Sequence, residues 1–222
     1  MNGPRRIAIV GAESTGKSWL VQALAEVLRA RGQTVHTVPE ALRLWCEREG
    51  RTPQAHEQAA IAHAQAEAVL GHTAGTVLAD TTPLMTAVYS EHFFGDARLS
   101  ADALAHQRLY SHTLLTGLDL DWQPEWLREG PAGRQPVDRL LRERLQGAGL
   151  DFRVIYGQGL ARLNHALLAL GEPAEDEATW QARVSAQFAL NAGRTPWRCE
   201  NCSDPDCEHR LFTGLLARGP RP

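Results

Sequence analysis

Lysine is almost missing from this chain. Of its 222 residues, 23 are Lys or Arg, and reading along the sequence finds lysine once, at Lys17. Every other fixed cation is an arginine. A chain that uses arginine elsewhere but keeps one compact ammonium inside a Gly-rich loop places it where a point charge is required. Long apolar runs are missing too. The run Ile7-Ala8-Ile9-Val10 is too short for the hydrophobic part of a signal peptide, and nothing else approaches the ~20 residues of a membrane helix. No membrane association is expected, and the chain reads as cytoplasmic. A basic excess is also lacking, with 26 acidic side chains and a net charge of -3, which disfavours nucleic acid as a partner. Cysteine is scarce: three of the four crowd between Cys199 and Cys207, which does not make a disulfide framework spread over a secreted fold. No internal repeat is present, and no feature assigns an oligomeric state.

What is present is an ordinary globular composition, 43% hydrophobic and 22% charged, in a chain long enough for one main core with a small appendage. β-branched apolar runs at 7–10, 34–38, 76–79, 112–118 and 152–156 read as strands. Helical spacing recurs over 17–31, with Gly32 at the C-cap position, and over 39–49, 85–94, 137–145 and 179–190. A further helix is expected from Pro53 to about residue 70, because proline favours a first helical turn. Strands alternating with helices predict an α/β fold. The expected architecture is three-layered around a parallel sheet of about five strands, with ligands at the carboxyl edge. The expected division is a main α/β domain over 1–170, a linker and helix over 171–198, and a Cys/His-rich tail over 199–222.

The spacing G-x-x-x-x-G-K-[ST] is met by Gly11, Gly16, Lys17 and Ser18, between a predicted strand and a predicted helix. In that setting Gly11, Glu13, Ser14, Thr15, Gly16, Lys17 and Ser18 would cradle the triphosphate of ATP or GTP. Backbone N–H groups curl around the phosphates, Lys17 reaches the terminal ones, and the Ser18 hydroxyl ligates Mg²⁺. Asp80, ending a strand, is a second metal-side carboxylate, or else a cap for the helix after Thr-Thr-Pro. Glu40, after the second strand, is a candidate base for an acceptor hydroxyl, or else a first-turn helix glutamate. Whether Glu40 or Asp80 is the base stays open. Arg128 and Arg134 lie in a Pro/Gly-broken segment that reads as a lid, from which cations reach a transferring phosphoryl group; the bland alternative is surface arginine. Trp122 and Trp126 in the same segment are more simply core residues than ring-stacking ones. Gly157-Gln158-Gly159 is an ordinary strand-to-helix turn or an approach to the nucleotide base.

The tail places Cys199, Cys202, Cys207 and His209 within one short segment. That is a candidate Cys₃His structural zinc site, against free thiols with an incidental histidine. Its acids Glu200, Asp204, Asp206 and Glu208 would repel a phosphate backbone.

Four motifs occur in order: the Gly11 to Ser18 loop, Glu40-x-x-Arg43, Ala79-Asp80-Thr81-Thr82, and Asp121-Trp122 through Leu127-Arg128. Together they resemble the ribosylnicotinamide kinase domain of NadR-type proteins, within the AAA-like P-loop families, over roughly residues 5 to 170. The resemblance implies ATP- and Mg²⁺-dependent phosphorylation of the 5′-hydroxyl of a small nucleoside-like substrate, and a place in NAD metabolism. The tail lies outside it. The alternative is a P-loop ATPase or nucleotide-dependent switch that acts on a macromolecular partner through the tail.

Overall fold

Side chains alternate across the first strand, and that alternation sets the layers. In the computed structural model, which describes residues 3–121 and 131–191, β1 spans Arg5–Val10. Ile7 and Ile9 face one helix layer while Ala8 and Val10 face the other, because successive Cβ atoms point to opposite sides of a strand. All four are fully buried, as expected of a parallel sheet covered on both faces.

On the first face lie α1 (Lys17–Ala30) and α7 (Gly159–Ala169). α1 contributes Leu20, Leu24 and Leu28, one helical turn apart, each completely buried. Trp180, on α8 (Glu177–Asn191), meets Trp19 edge-on at 6.1 Å and extends that layer. On the second face lie α3 (Gln58–Leu70), α4 (Pro83–Phe94), α5 (Ser100–Gln107) and α6 (Pro131–Gly147). They supply Val69, Leu84, Val88, Ala103, Val137 and Leu141.

The remaining strands are β2 (Val35–Val38), β3 (Thr76–Asp80), β4 (His112–Thr116) and β5 (Arg153–Ile155), and all pairings are parallel in the order β2-β3-β1-β4-β5. From β1 the chain passes to the edge strand β2, returns beside β1 as β3, and then crosses β1 to build β4 and β5 on the other side. Such a reversal opens a crevice at the carboxyl end of β1, the usual ligand position in open α/β sheets. The Gly-rich loop leaves β1 at that end.

The predicted fold class and all five strands stand, with differences at boundaries. β4 stops at Thr116, although the Gly117 N–H still bonds to Ile155 O of β5 at 2.9 Å. Pro53 does not open a helix. Gln54 and Glu57 form a capping box around a 3-10 turn (Ala55–Glu57), which leads into α3. α2 runs Ala41–Glu49, with Glu40 as its N-cap and Gly50, in the left-handed region, as its C-cap. α5 was not predicted, and α6 begins at Pro131 rather than 137. Among the described residues no helix is long and apolar enough to cross a membrane.

Candidate functional site

The loop between β1 and α1 has backbone conformations that few side chains permit. Gly11 sits at φ 153°, and a Cβ there would lie 2.1 Å from Thr116 Oγ1. Ser14 and Gly16 are both left-handed, at φ 51° and 74°. Left-handed residues alternating with right-handed ones bring successive N–H groups to one concave side, a shape that suits anions. The loop is tied down behind. Thr15 Oγ1 donates to Ala12 O at 2.7 Å and shares a hydrogen with Thr116 Oγ1 at 2.6 Å. Gly16 is the N-cap of α1 and supplies no side-chain cap, so the first N–H groups of that helix face the same region. Lys17, 8% exposed, donates to Ala12 O at 2.9 Å, which uses one of the three donors of an ammonium. Glu13 is half-buried on the outer part of the loop.

Ser18, in the first turn of α1, donates to Asp80 Oδ2 at 2.5 Å. Asp80 is the last residue of β3, and Thr82, not Asp80, is the N-cap of α4, so the capping alternative for Asp80 falls away. The other carboxylate oxygen, Oδ1, is buried with no hydrogen-bond partner among the described residues. A hydroxyl and a half-satisfied buried carboxylate, side by side at the edge of an anion-binding loop, fit a hard divalent cation such as Mg²⁺.

The turn after Asp80 is held unusually firmly. Thr81 is buried at φ 66°, a genuine outlier for a β-branched residue, and its N–H bonds to Ile9 O at 3.0 Å. Thr82 Oγ1 donates to Gln107 Oε1 at 2.7 Å, and Gln107 Nε2 donates to Thr113 Oγ1 at 3.0 Å. Sequence reading missed this buried chain of bonds because it missed α5, which carries Gln107.

A cavity of about 240 Å³ opens beside Ser18 and Asp80. Glu40 and Arg43 line it too, and Val21, Val38, Pro39 and Leu44 supply apolar surface. Glu40 stands at the N-cap of α2 without making a side-chain cap bond. The adjoining Ala41 N–H is taken instead by the buried Gln65 Oε1 at 2.6 Å. The glutamate is therefore not spent on the helix terminus and lines the cavity. Arg43 Nη2 lies 3.8 Å from Glu40 Oε2 and donates to Ser18 Oγ at 3.2 Å. Ser18, Asp80, Glu40 and Arg43, from four different elements or turns, thus share one small space.

Arg134 is helical, not part of a broken loop. It is on α6, 5% exposed, and donates to Leu120 O at 3.0 Å and Ser14 O at 3.4 Å. The helix starts earlier than its apolar periodicity shows, which carries this arginine inward. Arg162, overlooked in the sequence, lies on α7 and is 1% exposed. It donates to Thr15 O at 2.6 Å, Gly157 O at 2.9 Å and Asp119 Oδ1 at 3.2 Å. Burial pushes its guanidinium below the ordinary arginine range, and the charge and hydrogen bond of Asp119 oppose that. A sequence signal existed: Arg162 interrupts the buried face that Leu163, Ala166 and Leu167 mark out on α7. Gly157 and Gly159 flank Gln158, the N-cap of α7, and Gly157 N–H bonds to Asp119 Oδ2 at 2.6 Å. Arg128, Trp122, Trp126, Cys199, Cys202, Cys207 and His209 lie outside the described residues. Among the described residues no cluster of three or more His, Cys, Asp or Glu is arranged to hold a metal.

A protein-family model described as an AAA domain matches residues 6–162. No curated protein matches the chain. Among solved structures, a NadR protein in complex with NAD and AMP-PNP overlays with a TM-score of 0.62 at 19% identity, covering 78% of this chain and 51% of that one. A NadR protein in complex with NR overlays with a TM-score of 0.59 at 18% identity, covering 78% of this chain and 54% of that one. The chain therefore spans about half the length of the solved structures it matches. At these identities the likeness is one of fold.

Proposed function

The chain belongs to the AAA domain family, and from that membership we propose that it is an ATP-dependent kinase of small molecules, phosphorylating a hydroxyl of a nucleoside-like acceptor. The observation that carries the reading is the shared cavity. The Ser18–Asp80 pair and the Glu40 carboxylate face one space with apolar walls, beside the Gly-rich loop. A water-only NTPase has no need of an apolar recess on the acceptor side, whereas a kinase must seat and orient a second substrate there. Nicotinamide riboside is the acceptor we favour, since a NadR protein binds NR in a matching fold.

In this reading the loop N–H groups and Lys17 hold the triphosphate, and Ser18 and Asp80 would hold Mg²⁺. Bound there, the cation supplies neutralisation of charge on the phosphate oxygens. Glu40 orients the acceptor hydroxyl and takes its proton. Arg43, already bonded to Ser18, lies where it can steady negative charge between donor and acceptor. We also propose Arg128 as a cation reaching the site from the segment before α6. Further proposals are a kinase domain over 1–170 followed by a linker helix, a cytoplasmic setting, and a structural zinc at Cys199, Cys202, Cys207 and His209. Elemental analysis should find about one zinc per chain, lost in Cys202→Ser; a zinc-free protein would remove that site.

Glu40→Gln tests the mechanism. The side chain keeps its shape and loses the base, so turnover should fall by about 10²- to 10⁴-fold, while ATP affinity measured by calorimetry stays within about twofold. Unchanged turnover would take Glu40 out of the reaction.

A further inference from the structure

Two arginines that the proposed chemistry does not use are buried against the back of the Gly-rich loop. Arg162 Nη2 bonds to Thr15 O at 2.6 Å, and Arg134 Nη2 reaches Ser14 O at 3.4 Å. Consecutive loop carbonyls are thus drawn outward by guanidinium groups from two different helices. In a planar trans peptide the carbonyl of one residue and the N–H of the next point in opposite directions. Holding the Ser14 and Thr15 oxygens outward therefore turns the Thr15 and Gly16 N–H groups toward the concave side, where an anion would sit. Ser14 occupies a left-handed conformation that persists only where neighbours over-determine it.

Arg162 is itself anchored. Its second nitrogen binds Gly157 O and Asp119 Oδ1, and the other oxygen of Asp119 takes the Gly157 N–H. One planar fork thereby links the turn after β4, the turn before α7 and the loop, which a lysine ammonium on a flexible stem cannot reproduce. Packing does not account for the choice. The neighbours on that helix face are Leu163, Ala166 and Leu167, among which an apolar residue would avoid the cost of burying a charge.

We propose that Arg162, assisted by Arg134, is a positioning residue for phosphate binding: it fixes the orientation of the loop N–H groups from behind, without touching the ligand. The proposal rests on the reading of the Gly11 to Ser18 loop as the phosphate site. It requires that loss of the fork weaken binding of phosphate groups in particular, beyond any general loss of stability.

Binding of tripolyphosphate and of Mg-ATP to the full chain is to be measured by calorimetry, with thermal melting in parallel. The proteins compared are wild type, Arg162→Lys, Asp119→Asn and the packing control Leu163→Ala. Arg162→Lys should weaken both ligands by about tenfold or more, the scale of losing a charge-assisted bond that organises a site. Leu163→Ala should lower the melting temperature while leaving both affinities within about twofold. Arg162→Lys with wild-type affinity, or with a loss that Leu163→Ala matches at equal loss of stability, overturns the proposal. Should Arg162→Lys fail to fold, Asp119→Asn decides: a several-fold loss of tripolyphosphate affinity supports the clamp and an unchanged affinity overturns it. A wild-type chain that binds neither ligand overturns the clamp together with the kinase reading. Arg162-dependent ATP binding without phosphorylation of any acceptor leaves the clamp standing and removes the kinase reading alone.

Discussion

Gly11 shows how closely single residues are constrained in this chain. A methyl group there would fall 2.1 Å from Thr116 Oγ1 and 3.1 Å from the Thr116 carbonyl oxygen, and the hydroxyl is fixed by its bond to Thr15. The backbone angle is also one that L residues rarely adopt. Gly11→Ala should therefore cost about 1–3 kcal/mol of stability and sharply weaken nucleotide binding, both measurable by thermal melting with and without Mg-ATP; a variant as stable and as responsive as wild type would contradict this. At the same scale the loop was legible from spacing alone, because glycines, one lysine and a serine at fixed offsets are what that geometry demands. Glu40 and Asp80 were legible as carboxylates at strand ends. Arg162 was legible only as a charge that interrupts an apolar helix face: its partners are backbone carbonyls and Asp119, distant in sequence, and no local pattern names them. Arg134 was noticed for a wrong reason, since its helix begins before its apolar periodicity does.

Elements with a clear period were legible and short mixed ones were not. β1 and α1 have apolar residues at strand or helix spacing and little to compete with them. α5 has eight residues with acidic, histidine and alanine positions interspersed, too short for periodicity to emerge. Its absence from the sequence reading concealed the bonds that run from Thr82 through Gln107 to Thr113. This network fastens the turn that follows Asp80. Gln107→Leu would leave two buried hydroxyls without their partner, at a cost of about 1–3 kcal/mol. The loss should appear in denaturant unfolding, together with weaker dependence of nucleotide binding on Mg²⁺ as Asp80 loosens. Unfolding and Mg²⁺ dependence identical to wild type would mean that the network is incidental.

Across the whole molecule, stability carries a pH dependence that originates far from the nucleotide loop. His106 is buried, and burial pushes its imidazole below the ordinary value of 6.5; the nearby Arg6 charge acts the same way, while a backbone contact at Ala66 opposes it. The unfolded chain therefore binds the proton more readily than the folded one. His106 imposes no penalty above pH about 6.5, and stability declines as the pH falls from there toward the lower folded value. Denaturant unfolding at pH 7.5 and 5.5 should show this loss, reduced in His106→Leu; equal slopes in the two proteins would assign the acid sensitivity to other groups. The half-buried Glu57 and Asp96, each lowered to about 2 by hydrogen bonds from an arginine and the backbone, lose their contribution only in much stronger acid.

The layering of the molecule was legible because a parallel sheet buried on both faces needs continuous apolar strands separated by amphipathic helices. The strand order was not, because edge positions depend on which crossover passes which face. That order puts Glu40, after β2, in one cavity with Asp80, at the end of β3. The proposed acceptor chemistry depends on that juxtaposition. The most direct test is incubation of the purified chain with Mg-ATP and a panel of nucleosides including nicotinamide riboside, with mass spectrometry following ADP and phosphorylated product together. Stoichiometric appearance of ADP and one nucleoside monophosphate is expected. ADP released equally with and without every nucleoside, or no turnover of any, would contradict the kinase reading and leave an NTPase or a nucleotide-dependent switch, respectively, in its place.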